Sequence, residues 1–127
     1  MPERHLFEYA VIRVVPRVER EEFLNVGVIL YCKQRKFLQL RCNVDENRLQ
    51  ALCCDLDLDE LKSHLNAFEQ ICIGSKTGGP IAQLEPAERF RWLTAYRSTI
   101  VQASRVHPGL CIEPEATLEK LYAQLVL

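Results

Sequence analysis

The stretch RFRWLTAYRSTIVQASRVH, residues 89–107, carries four arginines (Arg89, Arg91, Arg97 and Arg105), a histidine and the only tryptophan of the chain, with no acidic residue among them. Against a net charge of −1 for all 127 residues, this local cation density has the composition of an anion-binding or partner-binding surface. Arginine suits such a surface because its planar fork of N–H donors matches phosphate and carboxylate bidentately. Trp92, Tyr96 and Arg97 are also the residue types that dominate protein interface hot spots. A solvated basic face, paired with carboxylates of neighbouring helices, fits the same residues equally well.

Arg13 interrupts the apolar run FEYAVIRVV, and strand alternation places it on the face of Tyr9, Val11 and Val15. A guanidinium there needs a hydrogen-bonding or ionic partner if it is buried. The partner is either a ligand anion at an open sheet face or a structural carboxylate such as Glu8 or Glu22. Arg97, Gln102 and His107 can converge with Arg13 at one end of a sheet, giving a polar pocket for phosphate or carboxylate. Glu22, Asn25 and Gly27, in EEFLNVGV, stand where a connection enters a strand. Asparagine there can satisfy free backbone groups, and glycine permits a bulge or a close backbone approach.

Catalytic and metal chemistry find less support. Ser98, Ser104 and His107 are close in sequence, but no nucleophile-elbow motif surrounds either serine. DLDLDE (55–60) offers hard oxygen ligands without the glycine and distant glutamate of a calcium loop, and helix capping explains these acids. GSKTGGP places its lysine before the paired glycines, the wrong order for a phosphate loop. The six cysteines (Cys32, Cys42, Cys53, Cys54, Cys72, Cys111) show no C-x-x-C pair and no zinc-module spacing. Cys32, Cys42 and Cys72 occupy apolar positions, where a thiol behaves as a small hydrophobe. The expectation is reduced cysteines, no metal, no cofactor and no catalytic residue; a zinc site from these thiols and His64 or His107 is the alternative.

Periodicity supplies the elements that position these residues. Residues 7–15 read as a strand ending at Pro16, followed by a charged connection. Residues 26–32 are nearly continuously apolar, which predicts a strand buried on both faces. Residues 36–42 alternate as a third strand, and short links make the three an antiparallel meander. Asn43 and Glu46 suggest a capping box for a short helix to about Cys54, and Asp57 and Glu60 a second one. Behind the latter, Leu58, Leu61, Leu65, Phe68 and Cys72 form one stripe of an amphipathic helix closed by Gly74. Pro86 suits the first turn of a helix over 86–95. Residues 98–104 read as a fourth strand, with one long helix to Ser104 as the alternative. Residues 105–114 look irregular, and Pro114 opens a C-terminal helix. The order β-β-β-α-α-α-β-α predicts a single α+β domain over residues 1–127, with helices packed on one face of a mainly antiparallel sheet.

Apolar content of 48% and charged content of 26% are ordinary globular values and argue against wholesale disorder. No apolar run approaches the ~20 residues of a membrane-spanning helix, so no membrane partner is expected. MPERHLFEYA lacks the apolar segment of a secretory signal, and the expected location is cytoplasmic.

YAVIRVVPRVEREEFLNVGVIL (residues 9–30) and ERFRWLTAYRSTIVQASRVHPGL (88–110) together resemble the uncharacterised bacterial family filed as domain of unknown function 3037, over nearly the whole chain. The motifs that carry the resemblance are an arginine-bearing strand ending in Val-Pro, then E-F-x-N-V-G-V, and later R-W-L-T-A-x-R-S. The polar motif positions of that family correspond to Arg13, Glu22, Asn25, Arg97, Ser98 and His107. The resemblance also implies an accessory role beside HipA-like kinase-fold proteins, companions of such chains in some bacterial gene neighbourhoods. It implies no activity, and fold alone does not supply one.

The functional expectation is a small cytoplasmic accessory or interaction module without catalysis of its own, with a HipA-like kinase as candidate partner. The alternative is a nucleic-acid or nucleotide-binding domain using Arg13, Arg91, Arg97 and Arg105 on phosphates, with base stacking on Trp92 or Tyr96. A third reading is an undescribed hydrolase or transferase using Glu22, Ser98 and His107. Convergence of Arg13, Glu22, Arg97 and His107 favours a ligand or enzyme site. Dispersal around an exposed Trp92 favours an interface.

Overall fold

The structure, a computed structural model, describes residues 3–97 and 99–127. The β-branched run near the N-terminus forms β1 (His5–Val14), which pairs antiparallel with β2 (Leu24–Cys32), and β2 with β3 (Phe37–Cys42). The other edge of β1 is shared by two short strands. Ile12–Val14 pairs with β4 (Val101–Ala103), and His5–Tyr9 pairs with β5 (His107–Cys111). Every pairing is antiparallel. Helices α1 (Glu46–Leu52), α2 (Leu58–Ile73) and α3 (Pro86–Thr94) lie between β3 and β4, and α4 (Pro114–Leu125) follows β5. The α+β class with a mainly antiparallel sheet is as the sequence predicts.

Three details differ. The fourth strand is only three residues long, and the segment expected to be irregular supplies β5, so the element order gains a strand before the last helix. Ser104 explains the break between them: its backbone N–H donates to the Val11 carbonyl while its Oγ accepts from the Val11 N–H, both at 2.8 Å. A side chain thus stands in for one rung of the ladder. Pro108 is tolerated in β5 because this is an edge strand, where its missing N–H costs no ladder bond. The single long helix does not form, since Ala95 turns extended after α3. The third difference is at α1, whose cap is Asp45 rather than Asn43: the Asp45 carboxylate accepts from the Arg48 N–H at 3.1 Å. At α2 the expectation holds, with Asp57 accepting from Glu60 N–H at 3.1 Å and Gly74 closing the helix at φ 71°.

The helices do not share one face of the sheet. Ala10, Ile12, Val14, Ile29 and Val101 pack with Leu49, Leu61, Leu65, Phe68, Phe90 and Leu93 from α1, α2 and α3. Phe7, Val28, Leu30, Cys32 and Cys111 pack with Leu118 and Tyr122 of α4. Strands β1 and β2 are therefore buried on both sides, which corrects the one-faced expectation. A bulge between Ile12 and Arg13, opposite Gly27 and Asn25, resets the alternation of β2. It turns Val26 into the first core and Asn25 toward α4. Gly27 is required beside it, because a Cβ there would lie 2.7 Å from Cys42 Cβ and 2.9 Å from the Arg41 carbonyl oxygen.

All six cysteines are free thiols, and Cys32, Cys72 and Cys111 are buried in the two cores. Burial pushes the Cys72 thiol from its ordinary 9.0 up to about 12. The folded state then keeps this proton where the unfolded chain releases it. Stability from this group is complete below pH 9 and declines as pH rises toward 12, at about 1.4 kcal/mol per pH unit. Urea melts of the wild type and Cys72→Ala across that range test this: the difference in slope should disappear if Cys72 is not the titrating group.

Candidate functional site

Arg13 lies between Ile12 and Val14, whose side chains enter the first core, so its own side chain projects to the α4 side of the sheet. Its cross-strand neighbours there are Asn25 on β2 and Gln102 on β4. The guanidinium carbon sits 4.1 Å from the centroid of the Phe23 ring. The Nε of Arg13 is buried without a hydrogen-bond partner among the described residues, and Arg13 enters none of the ion pairs found there. Arg13, Val15, Val18, Glu21, Phe23, Tyr96 and Gln102 line a cleft of about 280 Å³. Gln102 is held in place by donating from Nε2 to the Thr99 carbonyl at 2.9 Å. Tyr96, on the link out of α3, is 86% exposed at the rim.

Of the residues expected to converge with Arg13, the cleft holds Gln102 and does not hold Glu22, Arg97 or His107; Tyr96, outside that expected set, joins the lining. Arg97 lies over two rings instead, with its guanidinium carbon 4.5 Å from the Trp92 centroid and 5.1 Å from that of Phe68. It also donates to the Trp92 carbonyl. Partial burial holds its pKa below the ordinary arginine value. Trp92 is 38% exposed and packs against Phe68, with ring centroids 6.4 Å apart. Arg89 is structural, since its Nη1 donates to the carbonyls of Ile71 and Cys72 at the C-terminal end of α2, where a cation complements the helix dipole. Arg91 and Arg105 are exposed.

Glu22 belongs to a different cleft, of about 340 Å³, lined with Arg17, Arg20, Cys53, Cys54 and Asp55 among others. Its charges are paired internally, Arg20 with Glu22 and Arg17 with Asp55 at 3.9 Å. The Arg20 hydrogen bond lowers the Glu22 pKa from its ordinary value. Asn25, one of the candidate binding residues, donates from Nδ2 to the Leu125 carbonyl at 3.1 Å, and its buried Oδ1 has no hydrogen-bond partner among the described residues. His107 pairs with Tyr9, ring centroids 5.3 Å apart. That position is four residues along β1 from Arg13, about 13 Å by strand rise. Ser98 lies outside the described residues. Ser104 Oγ is engaged twice, accepting from Val11 N–H and donating to the Arg105 carbonyl at 2.9 Å.

Sequence reasoning missed Phe23, Val18 and Glu21. The available signal was Phe23 itself, the only aromatic in the charged connection VEREEFLN. The ring is 46% exposed, and the Arg13 guanidinium lies over it.

These features define an antiparallel α+β domain with an arginine-centred cleft at one end of its sheet. The family model described as "Protein of unknown function (DUF3037)" matches residues 9–126, and the chain belongs to that family. No curated protein and no solved structure matches the chain. No helix among the described residues is long and apolar enough to cross a membrane.

Proposed function

We propose that the chain is a non-catalytic binding module that engages a partner protein through the sheet end bounded by Arg13, Phe23, Tyr96 and Gln102. One observation carries this reading: an arginine whose buried Nε has no hydrogen-bond partner among the described residues lines the same cleft as two exposed aromatic residues, Phe23 and Tyr96. Tyrosine and arginine are the usual anchors of interfaces, combining large contact area with directional donors. A HipA-like kinase-fold protein, the companion that the family resemblance suggests, is the candidate partner. Against a nucleic-acid role stands the engagement of Arg89 and Arg97 within the fold, which leaves the basic stretch without a continuous row of phosphate contacts. Against a hydrolase stands the separation of Glu22 from His107.

The test is co-purification of the tagged chain with a HipA-like kinase-fold protein, followed by titration calorimetry. Tyr96→Ala should weaken the complex about 30-fold, the effect of a hot-spot residue, while a thermal melt still shows a cooperative folded state. Wild-type affinity in both Tyr96→Ala and Phe23→Ala would place the interface elsewhere and end this reading.

A further inference from the structure

Resting on that reading, we infer that the Arg13 cleft recognises a carboxylate, the side chain of an aspartate or glutamate presented by the partner protein. Stacking on Phe23 restrains the guanidinium and strips water from one of its faces. The strands on either side place only neutral amides beside it, Asn25 and Gln102, so neither cross-strand neighbour neutralises it. Gln102 Nε2 has a second hydrogen beyond the one donated to Thr99, available to an anion in the cleft. Val15, Val18, Phe23 and Tyr96 contribute apolar surface, and a charge pair formed against such walls is stronger than one in open water.

Geometry and charge favour a carboxylate over a phosphate. One guanidinium fork meets one planar carboxylate, whereas helix N-terminal and loop phosphate sites gather several donors around the group. Glu21, the carboxylate of the cleft lining, repels a dianion more than a monoanion. The same residue gives the site a threshold: an incoming carboxylate must pair with Arg13 against the repulsion of Glu21.

The experiment is an NMR titration of the ¹⁵N-labelled full chain with a capped Leu-Glu-Leu peptide, its Leu-Gln-Leu counterpart and its phosphoserine counterpart. The Arg13 Nε–H resonance and the backbone amides of Phe23 and Gln102 are followed. The glutamate peptide should shift all three in a saturable manner, with a Kd on the order of 1 mM. The glutamine peptide should not saturate, and the phosphoserine peptide should bind more weakly. Arg13→Lys, which keeps the charge and loses the fork, should weaken glutamate binding about ten-fold, and Glu21→Gln should strengthen it. Equal shifts from the glutamine peptide, tighter binding of phosphoserine, or unchanged binding by Arg13→Lys each overturn the inference. The wild-type titration decides between carboxylate, amide and phosphate whether or not a variant folds. A partner complex that depends on Tyr96 but is indifferent to Arg13→Lys sinks the carboxylate inference and leaves the binding module standing. Carboxylate binding at Arg13 without any partner complex ends the binding-module reading and, with it, the assignment of the carboxylate to a partner, leaving only the anion preference of the cleft.

Discussion

Phe90→Ala is expected to lower stability by about 3–5 kcal/mol, the usual cost of emptying a buried phenylalanine site. Phe90 is 3% exposed and stacks on Tyr31 of β2 with ring centroids 5.5 Å apart. It and Leu93 are the buried residues of α3. A nine-residue helix has no stability of its own in water and depends on tertiary packing. Losing Phe90 therefore loosens the whole element, and with it the Trp92–Arg97 stack and the approach to Tyr96. Urea unfolding read by Trp92 fluorescence should then precede the transition read by backbone circular dichroism. A loss below about 1 kcal/mol, the median effect of any substitution, with coincident transitions would show that α3 is held by something other than Phe90.

The apolar patterning made most of this architecture readable in advance. The stripe Leu61, Leu65, Phe68 and Cys72 gave α2 its face, and Asp57 and Gly74 gave it its ends. The run Val26–Cys32 also carried a signal that the one-faced arrangement disregarded. A strand apolar at successive positions needs cover on both sides, and Val28, Leu30 and Cys32 meet α4 while Ile29 meets the opposite core. The strand β5 escaped notice because Pro108 and Gly109 are turn residues by local chemistry. Only its position at a sheet edge, a tertiary fact, makes them acceptable.

The site was legible residue by residue and not as an assembly. Arg13 stood out because a charge in an apolar strand requires an explanation, and alternation brought Gln102 to its face. Cation density in residues 89–107 was a poorer guide, because composition cannot separate an arginine that caps a helix from one that faces solvent. Arg89 caps α2 through the Ile71 and Cys72 carbonyls, and Arg97 covers Trp92. Phe23 and Glu21 entered the cleft through the path of a connection that has no periodicity to read.

The second large effect is expected on the opposite side of the sheet. Leu118, 2% exposed in α4, packs with Tyr122 and Val126 against Phe7, Val28, Leu30 and Cys32. Leu118→Ala should cost about 2–5 kcal/mol, measured by urea denaturation. Polar clamps hold the far end of the helix without replacing this packing: Asn25 Nδ2 donates to the Leu125 carbonyl and Arg48 Nη1 to that of Val126, both at 3.1 Å. A net contribution of about 1 kcal/mol per hydrogen bond is too small to offset the loss of the leucine. Leu118 and Phe90 belong to separate cores on the two faces, so Leu118→Ala combined with Phe90→Leu should be additive within about 0.5 kcal/mol. A larger coupling would mean that the sheet transmits strain from one face to the other.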